Sequence, residues 1–335
     1  MPVSDGTIEL DGAVSAGDIS VVVCAYTLDR QEDLVAAIES VHNQEIAVRE
    51  LIVVIDYNDL LLKWVQSRYP TLRVLPNSGP QGLSGARNTG AAHCSGSVVA
   101  FLDDDAQAAP NWAYVLAGTY SAGSVLGVGG WIEPSWVSGR PAWWPPEFDW
   151  VVGCSYVGLP KRRAIVRNMI GANMSLRRDV LTAAGGFARD LGRVGAGAAG
   201  GEETEMCIRV RSLFPQGEIL FEPRAWVSHR VGRERSTWRY FVRRCWGEGQ
   251  SKARVGSLAS HKAALATERS YVLTTLSRGF LTGLVHGHWR RALAIVIGLA
   301  VTTAGYVHAY LGSGDRRLAR IKSDSRLLSS SDQLH

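Results

Sequence analysis

Two nearly uninterrupted apolar runs, Ile19-Ser-Val-Val-Val-Cys24 and Leu51-Ile-Val-Val-Ile55, do most to limit how this chain can fold. Both are rich in β-branched residues and lack polar alternation, the pattern of parallel strands covered on both faces. Between them, residues 33–43 place Leu34, Ala37, Ile38 and Val41 on one helical face, and a second helical stretch covers residues 59–68. Arg73-Val-Leu75 and Val98-Val-Ala-Phe-Leu102 read as two further strands. The βαβαβ…β order predicts an α/β fold with a doubly wound, mainly parallel sheet. In such a sheet the ligand sits beyond the carboxyl ends of the strands.

The residues at those ends are Ala25-Tyr26-Thr27, Asp56-Tyr57-Asn58 and Asp103-Asp104-Asp105, which should face one crevice. Three adjacent carboxylates at a buried strand end repel one another unless a cation sits among them. Read alone, the run serves equally as an acidic loop or a helix N-cap. Its place in an α/β crevice favours a hard divalent ion, Mg²⁺ or Mn²⁺, with positions left open for phosphate oxygens. Upstream, Gly82-Leu-Ser-Gly85-Ala-Arg87-Asn88-Thr-Gly90 offers small residues where backbone amides can approach a phosphate, and Arg87 to pair with it. No G-x-G-x-x-G follows the first strand, which argues against a dinucleotide oxidoreductase.

Beyond residue 130 the pattern changes. Residues 131–150 hold five of the 11 tryptophans and several prolines, and read as an irregular insert. Structure resumes near Asn173-Met-Ser-Leu176, yields to a glycine-rich run over 192–201 that reads either as a loop closing over a bound ligand or as an inert linker, and continues with a helix over 203–212. Arg235, Arg239 and Arg243, spaced by four, predict one basic helix face. Ala292 to Leu311 contains no Asp, Glu, Lys or Arg, a length that can cross a hydrocarbon core of ~30 Å or lie in its interface, with a buried core helix as the alternative. The stretch before it, 271–288, is amphipathic enough to lie on the same membrane.

The five cysteines are scattered and never paired as C-x-x-C, so neither a disulfide framework nor a zinc site is indicated, and a reducing, cytoplasmic setting follows. The N-terminal stretch lacks a secretory signal pattern and reads as a loose tail. The net charge of +5 is concentrated over 224–254 and 316–326, which suits anionic ligands or an anionic membrane. No basic and aromatic stripe on a recognised binding motif points to nucleic acid.

Taken in order, VVVCAYTLDR, ELIVVID, GLSGARNTG, FLDDDA, GANMSLRRDVLTAAGGF, GGEETEMCIRV and VSHRVGRERS resemble a family 2 glycosyltransferase of GT-A fold, over about residues 19–253. Within that family, the wording of VVVCAYTLDR, GLSGARNTGA, FLDDDA and WGEGQSKA is similar to glucuronosyltransferases acting on sugars linked to dolichyl or related polyprenyl phosphates. The resemblance implies a nucleotide-sugar donor, UDP-linked, held by Ala25, Tyr26, Asp56, Arg87, Asp103 and Asp104. It implies a divalent metal on Asp103, Asp105 and His229, and a base at Glu203 within the pair Glu202-Glu203, one methylene longer than the family's aspartate. Read without the resemblance, Glu202-Glu203 is a charged helix start and His229 an ordinary polar residue.

The expected organisation is a tail over 1–18, the GT-A domain over 19–253, a helical membrane-associating region over 254–312 and a polar tail over 313–335. The expected activity is inverting transfer to a hydroxyl of a lipid-linked or envelope glycan acceptor at the cytoplasmic face of the membrane. The alternatives are transfer to a soluble small molecule or protein, and a non-catalytic sugar-nucleotide binder. With a single candidate span and no Q-x-x-R-W motif, processive synthesis is not expected.

Overall fold

In a computed structural model the chain is described over residues 14–188, 200–258 and 268–331, with side chains to residue 312. Most of the expected glycine run, and the tail up to residue 13, lie outside the described residues.

The first half builds as its sequence dictates. Strands β1 (Ile19–Ala25), β2 (Glu50–Ile55), β3 (Arg73–Pro76) and β4 (Val98–Asp103) pair in parallel in the order β3-β2-β1-β4. The central residues of β1, β2 and β4 are buried on both faces, which is why those runs show no alternation. Helix α1 (Gln31–His42) turns Leu34, Ala37, Ile38 and Val41 inward, and α2 (Asp59–Arg68) starts on Asn58, whose side chain accepts from Leu61 N at 3.0 Å. Helix α3 (Leu83–Ala92) lies close on the sheet because Gly90 has no side chain; a methyl there would run into Val22 and Val54.

The second half turns the sheet mixed. After β5 (Ala106–Ala108) and α4 (Trp112–Thr119) come β6 (Val125–Trp136), the short β7 (Ala164–Ile165), β8 (Asn173–Arg177) and β9 (Glu218–Val231). β8 runs antiparallel between β4 and β6, while β9 pairs parallel to β6 and antiparallel to β5 and β7. The first residues of the supposed irregular insert, Trp131–Trp136, are therefore strand, the end of β6. The rest of the insert folds inward on a 3-10 turn, Pro146–Val152, with Trp144 and Phe148 in the core. Between β8 and β9, α5 (Arg178–Ala183) and α6 (Glu202–Leu213) cover the sheet.

Helix α7 (Trp238–Leu258) runs through the expected boundary at 253. A π-helical turn, Tyr271–Leu276, leads into α8 (Ser277–Val285), and α9 (Trp289–Ser331) continues helical where a polar tail is expected from 313. α9 packs along α7: a methyl on Gly249 or Gly305 would strike the backbone of the other helix. Its inner face is part of the protein core, with Ala292, Ala294 and Ile295 buried and Gly298 against Phe148. The most apolar 18 residues within 289–312 have mean hydropathy 1.8, and 28% of that window is buried.

Candidate active site

The parallel strands deliver their end residues to one edge. β1 pairs Cys24 with Asp103 and Ala25 with Ile55, and Asp56 N donates to Ala25 O at 2.8 Å, so Ala25, Asp56 and Asp103 line up at the carboxyl ends. Asn58 Nδ2 donates to Tyr26 O at 3.0 Å and ties the first two clusters together.

Asp56 is buried, and both its oxygens are engaged: Asn77 Nδ2 donates to one at 2.6 Å and Gly82 N to the other at 2.9 Å. Next to it, Tyr57 holds a left-handed backbone with φ 51°, its ring exposed and its hydroxyl donating to Gly79 O at 2.9 Å. Non-glycine residues in that region carry strain that persists mainly at functional positions.

The three aspartates diverge. Asp103 ends β4, half-buried, 3.3 Å from Arg87 Nη2. Asp104 and Asp105 point into the protein, where Arg30 Nη1 reaches both, at 2.7 and 3.2 Å. Arg30 also donates to the Tyr26 hydroxyl at 3.0 Å. Asp105 further accepts from His229 Nε2 at 3.0 Å and Arg235 Nη2 at 3.0 Å. His229 is placed by register, since β5 begins directly after Asp105 and pairs Ala106 with His229, while Arg230 N donates to Asp105 O at 2.8 Å.

Charge in this pocket is sharply divided. Burial raises Asp105 in principle, but His229, Arg235 and Arg30 hold its carboxyl well below the carboxylate range. For Asp104, burial and the Asp105 charge outweigh Arg30 and Arg235 and push the carboxyl up to about 7. His229 is held well above the usual imidazole value by Asp105, against its burial. Ligand atoms of Asp103, Asp105 and His229 lie within 4.8 Å of one another, and Asp104 Oδ2 is buried without a hydrogen-bond partner. Two carboxylates and one imidazole form a donor set that fits Mn²⁺ or Mg²⁺.

Arg87 is the link to the glutamates. Only 2% exposed, it contacts Asp103, donates to Glu202 Oε1 at 3.1 Å and to Gly171 O at 3.1 Å. Any side chain at Gly171 would collide with this guanidinium. Glu202 opens α6 after Gly201, whose φ of 98° suits glycine; Glu202 is buried and Glu203 half-buried.

Two residues in this cluster were not singled out as site residues from sequence. Arg30 is the last residue of VVVCAYTLDR, brought back by the 3-10 turn Leu28–Arg30. Arg235 was expected on a basic helix face; it stands instead in the 3-10 turn Arg233–Ser236 before α7 and turns onto Asp105. Its neighbours Arg239 and Arg243 do lie on α7, both exposed.

Known proteins resemble this chain in sequence and in fold. The family profile described as "Glycosyl transferase family 2" matches residues 20–184. The glucosyl-dolichyl phosphate glucuronosyltransferase of Haloferax volcanii is 35% identical over 238 residues, covering 70% of this chain and 76% of that one. Succinoglycan biosynthesis protein ExoM of Rhizobium meliloti is 25% identical over 252 residues, covering 72% of this chain and 76% of its own length. Among solved structures, the mannosyltransferase PcManGT from Pyrobaculum calidifontis, in complex with GDP-Man and Mn²⁺, superposes with TM-score 0.54 at 15% identity, covering 88% of this chain and 90% of that one. That likeness establishes a GT-A fold. With a relative this close over more than two thirds of its length, the chain belongs to glycosyl transferase family 2.

Proposed function

We propose that the protein transfers a sugar from a UDP-sugar to a hydroxyl of a lipid-linked acceptor, with inversion at the anomeric carbon. The observation that carries this reading is Arg87, a buried guanidinium joining Asp103 of the aspartate run to Glu202 beside Glu203. It connects donor-side carboxylates and acceptor-side carboxylates through one side chain.

Each residue then has a task. Asp56 presents its carboxylate to the imide N–H of uracil; Asn77 and Gly82 N orient it and leave further lone pairs free. The exposed Tyr57 ring gives the base a face to stack on. Ala25 and Tyr26 line the ribose. Asp103, Asp105 and His229 would hold the divalent cation, with Asp104 beside them at the donor. When bound, that cation supplies charge neutralisation for the departing diphosphate. Arg87 supplies a fixed positive charge to the same oxygens.

Glu202 accepts from Arg87, and the base is assigned to Glu203, the next residue of α6, the position that the family resemblance implies. Glu203 takes the proton of the acceptor hydroxyl as its oxygen attacks the anomeric carbon. The bond to the diphosphate oxygen breaks, and the pair of electrons leaves with UDP. The lipid-linked acceptor is supported by the Haloferax relative, whose name places it on a glucosyl-dolichyl phosphate, and by the apolar face of α9. Work at the cytoplasmic face of a membrane suits five cysteines that are all unpaired thiols.

The test is binding and hydrolysis of a panel of nucleotide sugars by the purified chain with Mn²⁺, with Mg²⁺ and with chelator. Metal-dependent binding of one UDP-sugar is expected. Metal-independent binding, or none across the panel, would overturn the assignment of the aspartate cluster.

A further inference from the structure

An open groove lies where α7 and α9 begin. Trp143, Trp238, Trp289, Arg290, Leu293 and Ile297 enclose about 390 Å³. One wall is rigid: the Trp143 and Trp238 rings stack at 3.9 Å and 12°. The other is formed by Trp289 and Leu293, which are 58% and 46% exposed. Apolar surface left in water costs about 25 cal/mol per Å², and a contiguous patch of this kind marks a site that something covers.

Its position narrows the occupant. Trp238 follows Arg235 by three residues, which span at most ~10 Å, and Arg235 holds Asp105. One wall of the groove therefore stands within ~10 Å of chain from a residue that contacts the aspartate cluster. Its lining carries one cation, Arg290, whose guanidinium lies over the Trp289 ring at 5.2 Å. Flat indole faces beside a guanidinium group complement a molecule that is a branched hydrocarbon at one end and a phosphate at the other. Inorganic phosphate makes no use of the apolar walls, and a flat bilayer surface would cover the rim without filling the groove.

We infer that this groove holds the isoprenoid chain of a polyprenyl phosphate-linked acceptor, with Arg290 facing its phosphate. The inference rests on the proposed lipid-linked acceptor and names where the lipid lies.

The experiment measures equilibrium binding of radiolabelled polyprenyl monophosphate to the full chain in neutral detergent micelles, for the native protein, Leu293→Glu and Trp289→Ala. Both positions are largely exposed, and thermal unfolding checks that the variants remain folded. Binding at least tenfold weaker in Leu293→Glu and several-fold weaker in Trp289→Ala is expected, with UDP-sugar binding unchanged and with no displacement by inorganic phosphate. Native-like binding in both variants would overturn the groove assignment while leaving the acceptor class standing. So would loss of vesicle binding in the variants with micellar binding intact, which makes the face a bilayer contact. No polyprenyl phosphate binding by the native protein, together with transfer to soluble hydroxyl compounds, would remove the acceptor reading itself and the groove with it.

Discussion

Arg235 donates to Asp105 across 3.0 Å, from a turn that stands 130 residues away in sequence. The same carboxylate is the one that His229 contacts and that a divalent ion would take. Arg235 thus occupies the place of a counter-cation on that carboxylate.

Arg235→Gln should consequently separate two affinities. Mn²⁺ alone should bind several-fold tighter, because a competing charge is gone. The KM for nucleotide sugar should rise by roughly tenfold or more, since a hydrogen bond to a charged group contributes about 1.5–3 kcal/mol. Calorimetric titration with Mn²⁺ and initial-rate kinetics read the two. Parallel loss of both affinities would mean that Arg235 only holds the fold of the turn.

The two glutamates should differ in kind. Glu203→Gln should lower kcat by about 10²–10⁴-fold with donor binding preserved, the range for removal of a general base. Glu202→Gln should weaken donor binding and lower the Tm, because it removes a buried countercharge from Arg87 while keeping an oxygen that can accept, and breaking one side of a buried pair typically costs about 3–5 kcal/mol. Asp103 remains on the guanidinium, so the lower end of that range applies. The reverse pattern would exchange their roles.

How much of this was legible follows from what local sequence encodes. The parallel half showed itself because strands buried on both faces must be apolar throughout, and Leu34, Ala37, Ile38 and Val41 are buried as their spacing required. The antiparallel half did not. β6 carries Gly127, Gly129 and Gly130, where methyl groups would strike Ser175, Met169 and Ala225, so close packing and not alternation shapes its sequence. The aspartates, Arg87 and the glutamates were found because they sit at element ends in recognisable runs. Arg235 was misplaced because a spacing of four looks helical, and only Gly232 and the turn after β9 show that the helix starts later. Gly90 was read as a phosphate-approach residue, whereas its packing against Val22 and Val54 sets the distance of α3 from the sheet.

Glu222 offers a pH test away from the site. The Arg224 side chain, and after it Arg163, hold its carboxyl down from 4.5 to about 2, against the cost of burial. A depressed carboxylate contributes stability that is fully present above its unfolded pKa and is lost as pH falls through the folded value. Arg224 is 69% exposed, so screening reduces the contribution to about 1–2 kcal/mol. Glu222→Gln should therefore lower stability by that amount at pH 7, and the gap should close between pH 4.5 and about 2 in denaturant titrations. A gap independent of pH would assign the loss to packing.

The last prediction concerns how α9 meets a membrane. Its length and hydropathy suit a span, but its inner face is fixed: Ile295 is buried, Gly298 abuts Phe148, and Gly305 abuts the α7 backbone. Carrying α9 upright through a bilayer would draw α7 in as well, with Arg239, Arg243 and the Lys252 ion pairs to Glu248 and Glu268. Charges at that depth cost several kcal/mol each, so the fold favours α9 lying in the interface with its outer stripe, Val296 and Val307 among it, in the acyl boundary. Burying each such valine is worth about 1.5–3 kcal/mol. The double variant Val296→Glu, Val307→Glu should bind anionic vesicles at least tenfold more weakly in flotation, with an unchanged Tm because both positions face outward. Alkaline carbonate should release the native protein from membranes. Retention of the native protein in the carbonate pellet would mean that α9 parts from α7 and spans.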